Sequence, residues 1–203
     1  MSRNRRASRS RSRDVGNDRR IGVNSPRLNE LPRLVAHRSR AAAILDKVCH
    51  GLLQAIGVAM LEYSKNLSVG RGTDAPFEQI GAGWIDGPKL AAYLNGRHIP
   101  GVRLYPVRFH PTASYFKDKD IDGVRFVLTD RQAFDAVRLG LEIGVALQKL
   151  YPGKIDFAAN GKLIGSAEVI AGMKAGDDPR TIQGKFDDAL AGFVARRKAY
   201  LLY

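Results

Sequence analysis

The stretch GVRFVLTDRQAFDAVRLGLEIGVALQKLYPG, residues 123–153, begins as a strand and ends as a helix. Gly123 to Thr129 is a short run rich in β-branched and aromatic residues, which suits a strand with apolar contacts. Thr129-Asp130 supplies hydroxyl and carboxylate groups that can cap a helix start, predicting a helix from there to about Leu150. Within it Phe134, Val137, Leu141 and Val145 form one apolar stripe, and Leu139, Ile143, Leu147 and Leu150 widen it, so most of the helix should be buried. Tyr151-Pro152-Gly153 ends it.

Working outward, Val102, Leu104, Val107 and Phe109 predict a second strand, and Pro106 within it points to an edge or a bulge. Asp86 followed by Pro88 predicts a helix start, with Leu90, Ala91 and Leu94 as its apolar face and Asn95-Gly96 as its stop. Ser166 can cap a short helix containing Val169, Ile170 and Met173, which Gly176 stops. Asp178-Pro179 should open the last helix, with Ile182, Phe186, Ala189 or Leu190, Phe193 and Val194 at helical spacing and Arg196, Arg197 and Lys198 near its C-terminus. Upstream, Ala42, Ile44, Leu45, Val48, Leu52 and Leu53 suit one face of a helix to about Gln54. Strands mixed with helices give an α/β (α+β mixed) domain over residues 41–203, with a small mixed sheet flanked by helices.

Residues 1–40 differ in kind. They hold 12 of the 33 basic residues, all Arg, against Asp14, Asp18 and Glu30, which leaves 21 basic and 17 acidic residues, +4, in the remainder. The formal charge of +13 is therefore mostly a property of the tail. Its Arg, Ser, Asn and Pro cannot bury enough apolar surface to offset chain entropy, so a disordered Arg-rich tail is expected. A nucleic-acid partner is disfavoured, since aromatic and fold-level signals of such a module are missing. The basic start lacks an apolar h-region, so no export signal is read from it, and no apolar run is long enough for a membrane span. One cysteine, Cys49, excludes an internal disulfide and reads as a packed small hydrophobe. His37, His50, His98 and His110 show no metal-ligand spacing, and neither a metal nor a cofactor is expected.

The segment with most chemistry runs from Asn66 to Glu78, NLSVGRGTDAPFE. Gly70 and Gly72 flank Arg71, allowing positive backbone dihedrals while the guanidinium presents a planar fork to an anion. Asn66, Ser68 and Thr73 add groups that read sugar hydroxyls and amides, and Phe77 adds an apolar face. The alternative is a surface turn whose glycines only solve a bend, with Arg71 stiffening it through Glu78 or Asp74. Hydrolysis of a glycoside commonly uses two carboxyl groups about 5 to 9.5 Å apart. No pair stands out in the sequence. Glu78 is the best candidate within this chain, and its other reading is to orient Arg71 or the loop amides.

NLSVGRGTDAPFEQIGAGW at 66–84 resembles the signature of the NamZ (YbbC-like) exo-β-N-acetylmuramidase family. Further similar segments follow in order: PGVRLYPVRFHPTAS at 100–114, DGVRFVLTDRQAF at 122–134, LYPGKIDF at 150–157 and RRKAYLLY at 196–203. The resemblance implies the C-terminal domain of an enzyme that removes terminal N-acetylmuramic acid from peptidoglycan fragments outside the cytoplasm. It also implies a larger N-terminal Rossmann-like domain, expected here as a separately encoded partner, with the active site in the cleft between the two. Asn66, Ser68, Arg71, Gly72, Thr73, Glu78 and Thr112 are then the expected substrate-binding residues, Arg71 meeting the lactyl carboxylate of muramic acid. His110 departs from the family's usual Thr before Pro111-Thr112. Glu62 is displaced from the family's Glu-Gly-Thr ahead of the Asn, so no catalytic role carries over to it. Two readings follow: one wall of a muramidase cleft, inactive alone, or a binding module without catalysis.

Overall fold

The computed structural model describes residue 55 and residues 57–201. The Arg-rich stretch, the helix expected up to Gln54, Cys49, His37 and His50 lie outside the described residues. In chain order come β1 (Gln79–Gly81), α1 (Gly87–Gly96), β2 (Val102–Phe109), β3 (Ile121–Leu128) and α2 (Ala136–Leu150). Then follow α3 (Gly161–Ile164), α4 (Ala167–Ala175), α5 (Pro179–Gly184), α6 (Asp187–Arg197) and a 3₁₀ turn, Lys198–Tyr200.

The sheet has the order β1-β3-β2 and is antiparallel at both pairings, where the sequence reading expected a mixed sheet. The connection between β2 and β3 is a loop without a crossover helix, so the second strand returns beside the first in the opposite direction. Pro106 sits on an edge strand, as its missing N–H requires, and the pairing with Val124 continues the register from Val102↔Leu128 to Phe109↔Ile121 without a bulge.

One face of the sheet is covered by helices. α1 packs on β2 and β3 and against α2, which in turn contacts α4 and α5. Asp86 caps α1 through its carboxylate, which accepts from Lys89 N, and Leu90, Ala91 and Leu94 are the buried face. The central helix α2 starts later than its sequence suggests. Asp130 uses its carboxylate on the turn amides of Gln132 and Ala133 at 2.9 and 3.3 Å, so Asp135, in extended conformation, becomes the cap and accepts from Arg138 N. Every residue from Leu139 to Leu147 is buried, confirming a helix enclosed on both sides.

Glu142 is among them, 1% exposed, and its charge is met by Arg97 Nε at 2.8 Å and Arg138 Nε at 2.9 Å. Arg97 also reaches Asp178, the cap of α5, at 2.8 Å, so one ionic cluster ties α1, α2 and α5 together. Bonding to Glu142 and then Asp178 raises the Arg97 pKa further above its ordinary value. The Arg180 amide, with Arg97, holds the Asp178 carboxyl below its ordinary range.

The start of α4 at Ser166 and its stop at Gly176 are as expected. The expected single last helix is two. α5 ends at Gly184, a poor helix former, and Phe186 leaves helical dihedrals to start α6. No residue of α6 is buried, so its apolar spacing does not reflect a core face among the described residues. No helix of the described residues is long and apolar enough to cross a membrane.

The segment leading to the Arg-containing loop is anchored to α2. Residues 57–59 are helical, and Gly57 meets Gly140 so closely that a Cβ on Gly140 would lie 2.6 Å from the Gly57 carbonyl oxygen. Val58 and Leu61 are fully buried beside this crossing, and they fix where Glu62 emerges.

Candidate functional site

The loop after Glu62 is held by its own backbone before any side chain projects from it. Ser68 and Gly81 exchange both backbone hydrogen bonds at 2.8 and 3.0 Å, tying the start of the loop to β1. Gly70 and Gly72 have φ of 78° and 80°, the left-handed region that the Gly-Arg-Gly pattern implied. Phe77 N donates to Val69 O at 2.8 Å, which closes the loop across its base.

The small hydroxyls expected to read a sugar serve mainly the loop itself. Ser68 is buried, and its Oγ accepts from Gly70 N. Thr73 Oγ1 donates to Gly70 O at 2.7 Å and accepts from Ala75 N and Gln79 Nε2. Thr112 donates through both N and Oγ1 to Gly72 O, at 2.8 and 3.0 Å, which locks the loop to the segment after β2.

Arg71 projects from this frame. Its side chain is 53% exposed and its guanidinium lies over the Phe77 ring, 4.9 Å from the centroid. Its ionic partner is Glu62, where the sequence reading offered Glu78 or Asp74: Arg71 Nε donates to Glu62 Oε1 at 2.6 Å, and Nη2 reaches the same oxygen. Glu78 is turned to the sheet, where its Oε2 lies 3.4 Å from Arg125 Nη2 and its backbone carbonyl accepts from Phe126 N. Antiparallel pairing of Gln79 with Arg125 sets that contact, because it brings Arg125 beside the strand entrance.

Arg71 and Glu62 line a cleft of about 340 Å³. Its floor is the buried run Leu67, Ser68 and Val69, and its rim carries Tyr63, Tyr115 and Phe116. Ser114, at φ 73°, is a non-glycine residue in the left-handed region, and the turn it makes presents Tyr115 with 73% exposure. Exposed aromatic faces around a charged pair are suited to a ligand with apolar C–H faces and one anionic group.

The expected site residues therefore divide. Ser68 and Arg71 line this cleft; Asn66 lines an adjoining groove; Gly72, Thr73 and Thr112 line a separate depression with Asp74, Phe109 and His110. His110 is bonded there to Asp120, Nδ1 to Oδ1 at 3.0 Å. Glu78 lines neither the cleft nor the groove. Glu62 enters the site despite its displacement from the family's pattern, and Tyr63, Tyr115 and Phe116 enter it without having been singled out. An aromatic pair directly after Pro111-Thr112-Ala113-Ser114 was the available signal for two of them.

Behind the cleft, fully buried Asn160 fixes the emerging chain: its Oδ1 accepts from Tyr63 N at 2.8 Å and its Nδ2 donates to Ser64 Oγ at 2.7 Å and Asp156 O at 3.1 Å. Trp84 Nε1 donates to Asn66 O at 3.1 Å, and the Trp84 ring meets Tyr151 edge-on at 5.3 Å. Burial pushes the Tyr151 phenol up, and its hydroxyl both accepts from Asp86 N and donates to Asp86 O.

Comparison with known proteins agrees with this architecture. The peptidoglycan β-N-acetylmuramidase NamZ of Bacillus subtilis (strain 168) is 36% identical over 141 residues, covering 68% of this chain and 34% of that protein. The chain thus spans about a third of the length of that relative. Crystal structures of two DUF1343 family proteins from Bacteroides fragilis NCTC 9343 share the fold with a TM-score of 0.57 each. They are 21% and 19% identical to this chain, covering 74% and 76% of it and 41% of each of those chains. The family described as exo-beta-N-acetylmuramidase NamZ, C-terminal, matches residues 56–203, and the chain belongs to it.

Proposed function

We propose that this domain forms one wall of a cleft that receives a terminal N-acetylmuramic acid of peptidoglycan, and that it acts in hydrolytic removal of that sugar together with a second domain. The observation that carries the reading is the Arg71–Glu62 pair at the cleft. Glu62 takes the Nε edge of the guanidinium with a single oxygen, which leaves the Nη1 side for another anion. A lactyl carboxylate, the group that distinguishes muramic acid from N-acetylglucosamine, meets such an edge by paired hydrogen bonds. Tyr115 and Tyr63 are placed to cover the apolar face of the ring.

Glu62 is the one carboxylate among the described residues lining this cleft. It accepts from Arg71 through Oε1, and on this reading its second oxygen serves a hydroxyl or a water of the substrate complex. Glycoside hydrolysis commonly employs two carboxyl groups, so we assign the partner carboxyl to a second domain, for which the relative from Bacillus subtilis, covered by this chain over 34% of its length, has room. On this reading the 203-residue chain binds sugar but turns over little of it alone.

The test compares binding of N-acetylmuramic acid and N-acetylglucosamine to the chain and to Arg71→Lys. The expected result is a selective loss for muramic acid of about ten-fold or more, the scale of a charge-assisted hydrogen bond. Equal losses for both sugars would remove Arg71 from carboxylate recognition. A parallel assay with a chromogenic muramic-acid glycoside, with and without a supplied N-terminal domain, separates a cleft wall from a binding module: turnover only in the mixture supports the former.

A further inference from the structure

We infer that the groove adjoining the cleft is a second anionic subsite, which takes a carboxylate carried by the muramyl ligand beyond its terminal sugar. This rests on the cleft reading above and extends it along the ligand. The groove, about 760 Å³, shares Tyr63 and Ser64 with the cleft, so the two depressions adjoin at these residues.

Its charge is the second observation. Lys65, Lys154 and Lys174 all line it, and none of the three has an ion-pair partner among the described residues. Four arginines, by contrast, are paired: Arg97 and Arg138 with Glu142, Arg125 with Glu78 and Arg71 with Glu62. The one acid in the lining, Asp156, is committed to its own turn, where Oδ1 accepts from Ala158 N at 2.9 Å and Ala159 N at 3.4 Å. With Asp156 counted, the lining still carries an excess of two positive charges, and a concave wall concentrates their attraction for an anion.

The frame that carries the lysines is fixed. Asn66 Nδ2 donates to the Lys154 carbonyl, joining the two segments that supply Lys65 and Lys154, and Gln148 Nε2 donates to the Lys174 carbonyl at 3.2 Å. Asn160 holds Tyr63 and Ser64 at the junction with the cleft. Lysines on flexible stems give point charges and not a planar fork, which suits a carboxylate whose orientation varies from ligand to ligand. In a muramyl ligand that carboxylate has two sources: the free lactyl group of the next muramic acid in the glycan, or the free carboxylates of a stem peptide joined through that next lactyl group, the terminal lactyl carboxylate staying free for Arg71.

The experiment titrates the 203-residue chain with four ligands at low and high salt: the disaccharide MurNAc-GlcNAc, the tetrasaccharide MurNAc-GlcNAc-MurNAc-GlcNAc, the same tetrasaccharide bearing a dipeptide with a free carboxylate on its inner MurNAc alone, and neutral chitotetraose. The proteins are wild type, the double variant Lys154→Gln/Lys174→Gln, and Lys162→Gln, an exposed lysine outside the groove. At low salt the tetrasaccharide, plain or bearing the dipeptide on its inner MurNAc, should bind about three- to ten-fold tighter than the plain disaccharide. That gain should shrink in high salt and vanish in the double variant, with the plain disaccharide unaffected and Lys162→Gln behaving as wild type. Which of the two ligands gains identifies the source of the carboxylate. The inference is overturned if the gain survives in the double variant, if chitotetraose gains as much, or if no extended ligand gains while the disaccharide binds. Failure of the plain disaccharide to bind wild type would overturn the cleft reading itself, and the subsite with it.

Discussion

Replacing Gly72 by alanine should cost this domain about 2 to 5 kcal/mol, and the structure gives two separate reasons. Gly72 has φ 80°, where an L side chain costs about 1 to 2 kcal/mol. A Cβ built there would also lie 2.7 Å from both the amide nitrogen and the carbonyl oxygen of Ala113. Those atoms are backbone and cannot rotate away, so the 112–116 segment must shift, at about 1 to 3 kcal/mol more. In a domain of this size the sum corresponds to a fall in Tm of about 4 to 20 °C. Gly83→Ala is the matched control, because a Cβ there has nothing within 4 Å, and its Tm should stay within about 2 °C of wild type. The assay is thermal unfolding followed by circular dichroism. Muramic acid binding should weaken alongside, since Thr112 donates twice to Gly72 O and the same segment presents Tyr115 to the cleft. Equal Tm values for Gly72→Ala and Gly83→Ala would refute the claim that this loop is clamped between Gly72 and Ala113.

Asn160→Ala should destabilise the domain by about 2 to 4 kcal/mol, because it leaves Tyr63 N and Ser64 Oγ without the buried partner they now share; chemical denaturation measures this. Glu142→Gln should cost about 3 kcal/mol by leaving Arg138 and Arg97 short of a counter-charge, and the loss should be visible in the denaturant midpoint at constant m. Asp178 has a carboxyl pKa lowered by folding, so its contribution is present above the ordinary carboxylate range and is lost as pH falls through the folded value. The stability difference between wild type and Asp178→Asn should accordingly be constant near neutrality and shrink below about pH 4. A difference independent of pH would show that the cap geometry alone, without the charge, accounts for it.

Local signals carried much of the fold. Asp86-Gly87-Pro88, Ser166 and Gly176 each mark a helix end by short-range chemistry, and each end lies where its sequence says. The double apolar stripe of α2 translated directly into nine consecutive buried residues. Competition between neighbouring signals was harder to read. Thr129-Asp130 and Asp135 are both capable caps, and the decision for Asp135 depends on Asp130 closing a turn first, and Asp135 Oδ2 also accepts from Gln183 in α5. The break at Gly184 and the exposed face of α6 depend on tertiary packing and leave no mark in apolar periodicity.

At the site, the backbone role of Gly70 and Gly72 and the projection of Arg71 were legible from three adjacent residues. Its partner was not, because the Arg71–Glu62 pair depends on how residues 57–61 cross α2, through Gly57 and Gly140, 83 positions apart in sequence. The division of Thr73 and Thr112 from the cleft had the same origin, since only the fold shows that their hydroxyls are already engaged by loop carbonyls.

The most direct test of the account is to follow backbone amide shifts of the 203-residue chain by NMR while N-acetylmuramic acid is added, with N-acetylglucosamine as the comparison. The account predicts that muramic acid moves the amides of Glu62 to Ser64, Arg71 and Ser114 to Phe116, and that N-acetylglucosamine moves Tyr115 and Phe116 but leaves Arg71 nearly unchanged. Shifts centred on the depression around His110 and Asp74, or the same response at Arg71 to both sugars, would contradict it.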